Sequence, residues 1–193
     1  NDRKFIYKPY SCSYLLVLNA IFDILKPHLK FNLEIFPKIL IQNDDFTVVE
    51  FLKAQNEIKS KKSYYAIGVV LGFATVFRIT DLHNENILFN DDNLYILDSE
   101  SCFFRDNSNQ VFEPKFTHLI NEGFYDKTNF KYGLHLSKNK VAFLQERNFK
   151  NPSINLHKNL QYIKDGFNDI IKSVLEKSKI LNEIILSMNF IPF

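Results

Sequence analysis

Tryptophan is absent from this 193-residue chain, methionine occurs once, and there are only two cysteines, Cys12 and Cys102. Two cysteines cannot build a disulfide framework and give no CxxC spacing for zinc, so both read as buried, reduced thiols of a cytoplasmic protein. Charge of one sign is also lacking: a net charge of +2 does not argue for nucleic acid or a membrane surface as partner. No apolar run reaches the roughly 18 residues that span a bilayer, so no membrane span is expected. No basic segment followed by an apolar stretch opens the chain, so no signal peptide is expected either. The chain starts at Asn1 rather than Met and ends on Ile191-Pro192-Phe193 without a polar tail. Both ends read as cut, and the chain as a fragment or excised region of a longer protein.

What is present is a core-building composition. Apolar residues make up 46% of the chain, charged residues 24%, and phenylalanine alone accounts for 20 positions. That suits one packed domain or a large part of one. Residues 5–8 read as a short strand stopped by Pro9, and residues 13–26 as a helix with a broad apolar face, stopped by Pro27. Residues 35–41 and 46–51 read as strands joined through the turn Asn43-Asp44-Asp45. Residues 53–62 are a polar connector. The apolar stretch 63–77 fits a buried strand or a buried helix, and its length favours helix. Gly68 and Gly72 weaken such a helix but let another element approach closely. Residues 86–89 and 94–97 read as a tight hairpin through Asn90-Asp91-Asp92-Asn93. Residues 105–155 give few recognisable elements. Residues 156–188 read as a long helix carrying Leu156, Leu160, Ile163, Phe167, Ile170, Val174 and Leu175 at a period near 3.6, with Gly166 as a point of kinking.

The chemistry is concentrated between Thr80 and Glu100, reading TDLHNENILFNDDNLYILDSE. Phosphoryl transfer asks a protein for metal ions on the phosphates, a cation along the phosphate chain and a carboxylate to orient the attacking hydroxyl. Kinases draw these from a loop Asp, an Asn five residues on and an Asp behind the following strand. Asp81, Asn86 and Asp98 match that spacing. A short hairpin returns its far end beside its start, so Asn86 and Asp98 can converge on one Mg²⁺, which prefers hard oxygen ligands. Glu100 shares the side of Asp98 if the chain stays extended there. Upstream, Lys8 ends the first strand as the candidate phosphate lysine, and Glu50 stands where a hinge would meet the adenine of ATP. Two parts of a kinase are missing. No Gly-rich loop precedes Lys8, and the helix over 13–26 carries no Glu to pair with it, its only acid being Asp23, with Glu34 beyond. An Asp-x-His-x-x-Asn string on its own also arises by chance, and the acids of residues 90–93 are ordinary turn residues.

Several segments together resemble the dehydration domain of class II lanthipeptide synthetases, the LanM family. Tyr7-Lys8-Pro9 is similar to its YKPR strand end, Val49-Glu50-Phe51 to its WVEF hinge strand, Thr80 through Asn86 to its TDLHxEN loop, and Leu97-Asp98-Ser99-Glu100 to its IDLE segment. Order and spacing agree over about residues 1–105, and Tyr162 through Phe167 is similar to a family stretch ending in GF. The resemblance implies a partial, protein-kinase-like, two-lobed α+β fold of the lipid-kinase or LanM-dehydratase type, with a mostly helical C-terminal part. Residues 1–52 would be the N-lobe portion. Residues 53–193 would be the C-lobe portion, with a catalytic loop at 80–86, a metal-binding hairpin at 86–100 and the helix at 156–188.

The resemblance also implies a reaction: use of ATP and Mg²⁺ to phosphorylate Ser and Thr of a precursor peptide, followed by phosphate elimination. Asp81 and His83 would be catalytic, Lys8 and Glu50 would contact the nucleotide, and Asn86, Asp98 and Glu100 would hold metal. A cyclase domain or protein outside this chain is the implied further partner. There are departures. Tyr10 replaces an Arg, Thr47-Val48 a Gly-Trp pair and Ser99 a Leu, and the Arg and Thr used for elimination have no match. Two other readings stay open at this point, a small-molecule kinase of the aminoglycoside type and a non-catalytic kinase-like module.

Overall fold

The computed structural model describes residues 4–54, 60–79, 82, 86–100, 102–103, 136–137, 140–141 and 156–187. Over these residues the protein is mixed α+β. β1 (Phe5–Lys8), β2 (Ile39–Gln42) and β3 (Thr47–Glu50) form an antiparallel sheet in the order β1-β3-β2. The β2–β3 turn is set by Asn43, whose Oδ1 accepts the backbone N–H groups of Asp45 and Phe46, each at 2.9 Å. Such a side chain substitutes for a backbone turn. The strand expected over 35–41 starts only at Ile39. Leu33, Ile35 and Phe36 are buried but irregular, and Pro37 has no N–H for a ladder. The Ile35 carbonyl instead accepts Ile96 N–H at 2.8 Å.

The first helix, α1 (Ser13–Leu25), buries Leu15, Val17, Leu18, Ile21, Phe22 and Leu25, the recurrence its sequence predicts. It runs on through a single 3-10 turn at Lys26–His28 that accommodates Pro27. The ambiguous stretch is helical: α2 (Lys61–Phe77) is capped by Ser60, whose hydroxyl accepts Ser63 N–H at 3.0 Å. It is buried on nearly every side, which explains an apolar run with no polar face. It ends at Arg78 in the left-handed region (φ 52°), with Ile79 N–H on the Ala74 carbonyl at 3.1 Å, a Schellman-type stop made without glycine.

The hairpin β4 (Ile87–Asn90) and β5 (Asn93–Ile96) turns at Asp91 and Asp92, both with positive φ (45° and 64°), a two-residue turn whose twist matches the strands. Asp92 also accepts the Ser63 hydroxyl at 2.6 Å, which fastens the turn to the start of α2. A short antiparallel pair, β6 (Leu136–Ser137) and β7 (Lys140–Val141), follows.

The long helix α3 (Leu156–Ser187) crosses α2 at very short range. The Cα of Gly68 sits over the backbone of α3: an added Cβ would fall on the Ile163 carbonyl and 2.8 Å from Phe167 N. Gly166 reciprocates against the Tyr65 carbonyl. The close approach read from Gly68 and Gly72 is present, and Gly166 serves the same contact from the other side. Leu160 and Leu175 fall off the buried stripe, with Leu175 70% exposed, while Ile163 and Ile170 lie within it.

Buried side chains of α1, α2, the hairpin and α3 belong to one core. Its centre is aromatic. Phe73 meets Phe22 at 5.7 Å and Phe36 at 5.6 Å, both edge to face, geometries that align ring edge with ring face. No helix among the described residues is long and apolar enough to cross a membrane.

Candidate functional site

In β1 successive side chains alternate between faces, so Ile6 and Lys8 point one way and Phe5 and Tyr7 the other. Ile6 pairs with Val49 and Lys8 with Thr47 in the β1–β3 register. Across from them the β4–β5 hairpin closes: Leu97 N–H donates to the Asn86 carbonyl at 2.7 Å, which holds Asn86 beside the Leu97-Asp98 segment. Between sheet and hairpin lies a cleft of about 340 Å³ lined by Ile6, Lys8, Val49, Glu50, Asn86 and Asp98 among others. Its size is within the ~300–1,000 Å³ of small-molecule sites. Ile6, Val49, Leu88 and Leu97 form apolar walls, and Lys8, Asn86 and Asp98 supply the polar groups.

Lys8 reaches across the cleft. Its Nζ lies 3.7 Å from Asp98 Oδ1 and donates to the Leu97 carbonyl at 3.1 Å. The side chains are 11% and 28% exposed, so the charges face each other with limited screening. The Tyr10 ring lies 5.9 Å from the same ammonium. Asp23 and Glu34, the acids considered near the lysine, both pair with Lys26 instead, at 2.7 and 3.0 Å.

Glu50 lines the cleft, but its carboxylate accepts Lys38 N–H at 2.8 Å while its own N–H donates to the Lys38 carbonyl at 3.0 Å. The side chain thus completes the irregular end of β2. Glu100 is exposed, and its N–H approaches Asp98 Oδ1 at 3.4 Å. Asp81 and His83, the sequence-predicted catalytic pair, lie outside the described residues. Of the remaining candidates, Lys8, Glu50, Asn86 and Asp98 share the cleft, and Glu100 adjoins it through Asp98.

Two residues were not singled out by sequence reasoning. Thr47 is fully buried; its hydroxyl accepts Cys12 N–H at 2.8 Å and donates to the Tyr10 carbonyl at 3.2 Å. It thereby fixes the start of α1 to the central strand. Tyr14, in the first turn of α1, is then delivered to Asp98, its hydroxyl 3.3 Å from Oδ1 and 3.6 Å from Cys12 Sγ. Burial, the Cys12 contact and the Asp98 charge all push this hydroxyl up from its ordinary range, so it remains protonated and donates. No local pattern marks either residue, because each acts on a partner distant in sequence.

Both cysteines are free; Cys12 is buried as expected, whereas Cys102 is only partly buried, and that burial pushes its thiol up to about 12, which keeps it unreactive. Replacing Thr47 by Val keeps the shape and strips the buried Cys12 N–H and the part-buried Tyr10 carbonyl of their partner. The expected loss is about 2 kcal/mol, read as a lower urea midpoint at unchanged m-value.

As a donor set the cleft suits a hard divalent cation carried by phosphates. Asn86 and Asp98 offer oxygen ligands and Lys8 a cation for the remaining phosphate charge, and Mg²⁺ usually takes only one or two carboxylates with water and phosphate. Comparison with known proteins gives one family: that described as "Domain of unknown function (DUF4135)" matches residues 1–134. No curated protein matches the chain.

Proposed function

The chain belongs to the DUF4135 family, and we propose that its cleft uses ATP and Mg²⁺ to phosphorylate Ser and Thr of a ribosomal precursor peptide, the first step of dehydration in lanthipeptide biosynthesis. The observation that carries this reading is the shared cleft of Lys8, Asn86 and Asp98, with Lys8 and Asp98 in ionic contact. These residues come from a strand, a hairpin start and a hairpin end, and phosphoryl transfer requires that combination of cation and metal-binding oxygens.

In this reading the fold is a partial kinase-like one, with residues 1–52 as the N-lobe portion and 53–193 as the C-lobe portion. The apolar walls around Val49 and Leu88 take the adenine, and the backbone of Glu50 and Phe51 is the hinge. Because the Glu50 carboxylate is committed to Lys38, the hinge contact falls to backbone atoms. Lys8 neutralises phosphate charge, and Asn86 and Asp98 hold Mg²⁺, which when bound offsets charge on the transferring phosphoryl group. Asp81 orients the substrate hydroxyl, and His83 supports the loop. The resemblance of Tyr7-Lys8-Pro9, and of Glu85 before Asn86, to the lanthipeptide dehydratase motifs favours a peptide over a small-molecule acceptor.

The test is incubation of the full-length protein with ATP, Mg²⁺ and a Ser/Thr/Cys-rich precursor peptide, followed by mass spectrometry. A phosphoryl adduct or loss of water is the expected result. Phosphorylation of an aminoglycoside but not of the peptide would move the activity to the small-molecule class. Absence of any ATP turnover would leave only a binding module.

A further inference from the structure

We infer that Tyr14 is a positioning residue for Asp98: its phenol, with Lys8 and the Glu100 N–H, holds Oδ1 and so reserves Oδ2 of the same carboxylate for the divalent cation. The inference rests on the proposed metal–nucleotide reading of the cleft and adds a residue that the reading does not require.

Every contact that Asp98 makes to the described residues converges on one oxygen. Lys8 Nζ is 3.7 Å from Oδ1, the Tyr14 hydroxyl 3.3 Å and the Glu100 N–H 3.4 Å. Among the described residues no protein donor is recorded on Oδ2. Each of these distances is long for its type, so no single donor fixes the carboxylate, and their agreement on one oxygen is what sets its rotation. Orienting ligands from behind is a general role of groups next to a metal site.

The phenol is suited to this role by its mounting. Thr47 anchors the start of α1 to β3 through Cys12 N–H, and Tyr14 stands in the first turn of that helix, half-buried. The place is also chemically open. No glutamate in α1 is available to pair with Lys8, and Asp23, its only acid, is engaged by Lys26. Lys8 therefore turns to Asp98, and α1 contributes a neutral donor to the same carboxylate rather than an acid to the lysine. A second carboxylate at that position would repel Asp98, whereas a phenol adds a donor without adding charge.

The experiment is Mn²⁺ titration of the full chain in the presence of a non-hydrolysable ATP analogue, with free Mn²⁺ read from its EPR signal. Tyr14→Phe removes one oxygen and keeps the ring in place. It is expected to weaken Mn²⁺ binding about fivefold to tenfold, while metal-free binding of the analogue and the melting temperature stay near wild type. Cys12→Ala removes the other neighbour of the phenol and leaves the Asp98 contact, so Mn²⁺ affinity is expected to hold. Unchanged Mn²⁺ affinity in Tyr14→Phe, or equal weakening in both variants, overturns the positioning role. Equal Mn²⁺ binding by wild type and Asp98→Asn overturns the metal reading of the cleft itself, and the role of Tyr14 with it.

Discussion

Replacing Gly68 by Ala is expected to destabilise the protein by about 3 kcal/mol or more, although alanine is the better helix former. On a free helix the same change would add roughly 1 kcal/mol. Here the new methyl would fall on the Ile163 carbonyl, with Phe167 N at 2.8 Å. Those two atoms belong to one turn of the α3 hydrogen-bond ladder, so neither can move alone. The helix as a whole would have to retreat, separating Ile163 and Ile170 from the α2 surface that buries them. Insertions into a packed core cost ~1–3 kcal/mol when side chains can adjust, and a backbone contact puts this variant at or above the top of that range. The melting temperature should fall by roughly 6–12 °C for a domain of this size.

Gly166→Ala, which meets the Tyr65 carbonyl, should behave alike. Gly72→Ala should cost less, about 1–2 kcal/mol, because its nearest neighbour is a side-chain methyl of Ile170. Urea denaturation of the three variants checks the order. A stabilised Gly68→Ala would mean that the two helices do not meet at these glycines.

The glycines show what kind of information the sequence held. A pair spaced at a helical interval in an apolar run is a local pattern, and it announced a close neighbour without naming it. The neighbour, α3, was readable separately from its own period. Their pairing is a relation between segments about a hundred residues apart, and nothing local encodes it. The same division runs through the cleft. Lys8 at a strand end and Asp98 behind a hairpin were legible because strand alternation and hairpin return are short-range geometry. Tyr14 was not, since its hydroxyl acts on a residue 84 positions away in the chain and tyrosine in an amphipathic helix looks like any half-buried aromatic.

Where the reading of elements erred, a specific residue prevailed over the pattern. Pro37 delayed β2. Leu160 and Leu175 satisfied the helical period yet lie beyond the width of the buried stripe. Glu50 lines the cleft, but its carboxylate is bound to Lys38 N–H through a β2 irregularity that strand propensity cannot foresee.

Asp98→Asn is expected to lower peptide phosphorylation by about three orders of magnitude or more, equivalent to roughly 4 kcal/mol on the barrier, with far less change in folding. The substitution is nearly isosteric, and an amide oxygen can still accept from Tyr14, Lys8 and the Glu100 N–H. What is lost is the negative charge that Asp98 brings to the cation, its partner ligand Asn86 being neutral. Stability should drop by only about 1 kcal/mol: the carboxylate is part-exposed, and pairs of this kind contribute little, although Lys8 then sits beside a neutral group. Lys8→Met should impair the same reaction through the phosphate side, with Mg²⁺ dependence closer to that of wild type. Initial rates of phosphopeptide formation at saturating ATP, with urea curves on the same samples, separate the two quantities. If Asp98→Asn keeps activity within tenfold of wild type at ordinary Mg²⁺, Asp98 is not a metal ligand in the rate-determining complex, and the cleft's assignment to phosphoryl transfer fails with it. If activity and stability fall together, the loss is one of folding, and the carboxylate serves the Lys8 pair rather than a cation.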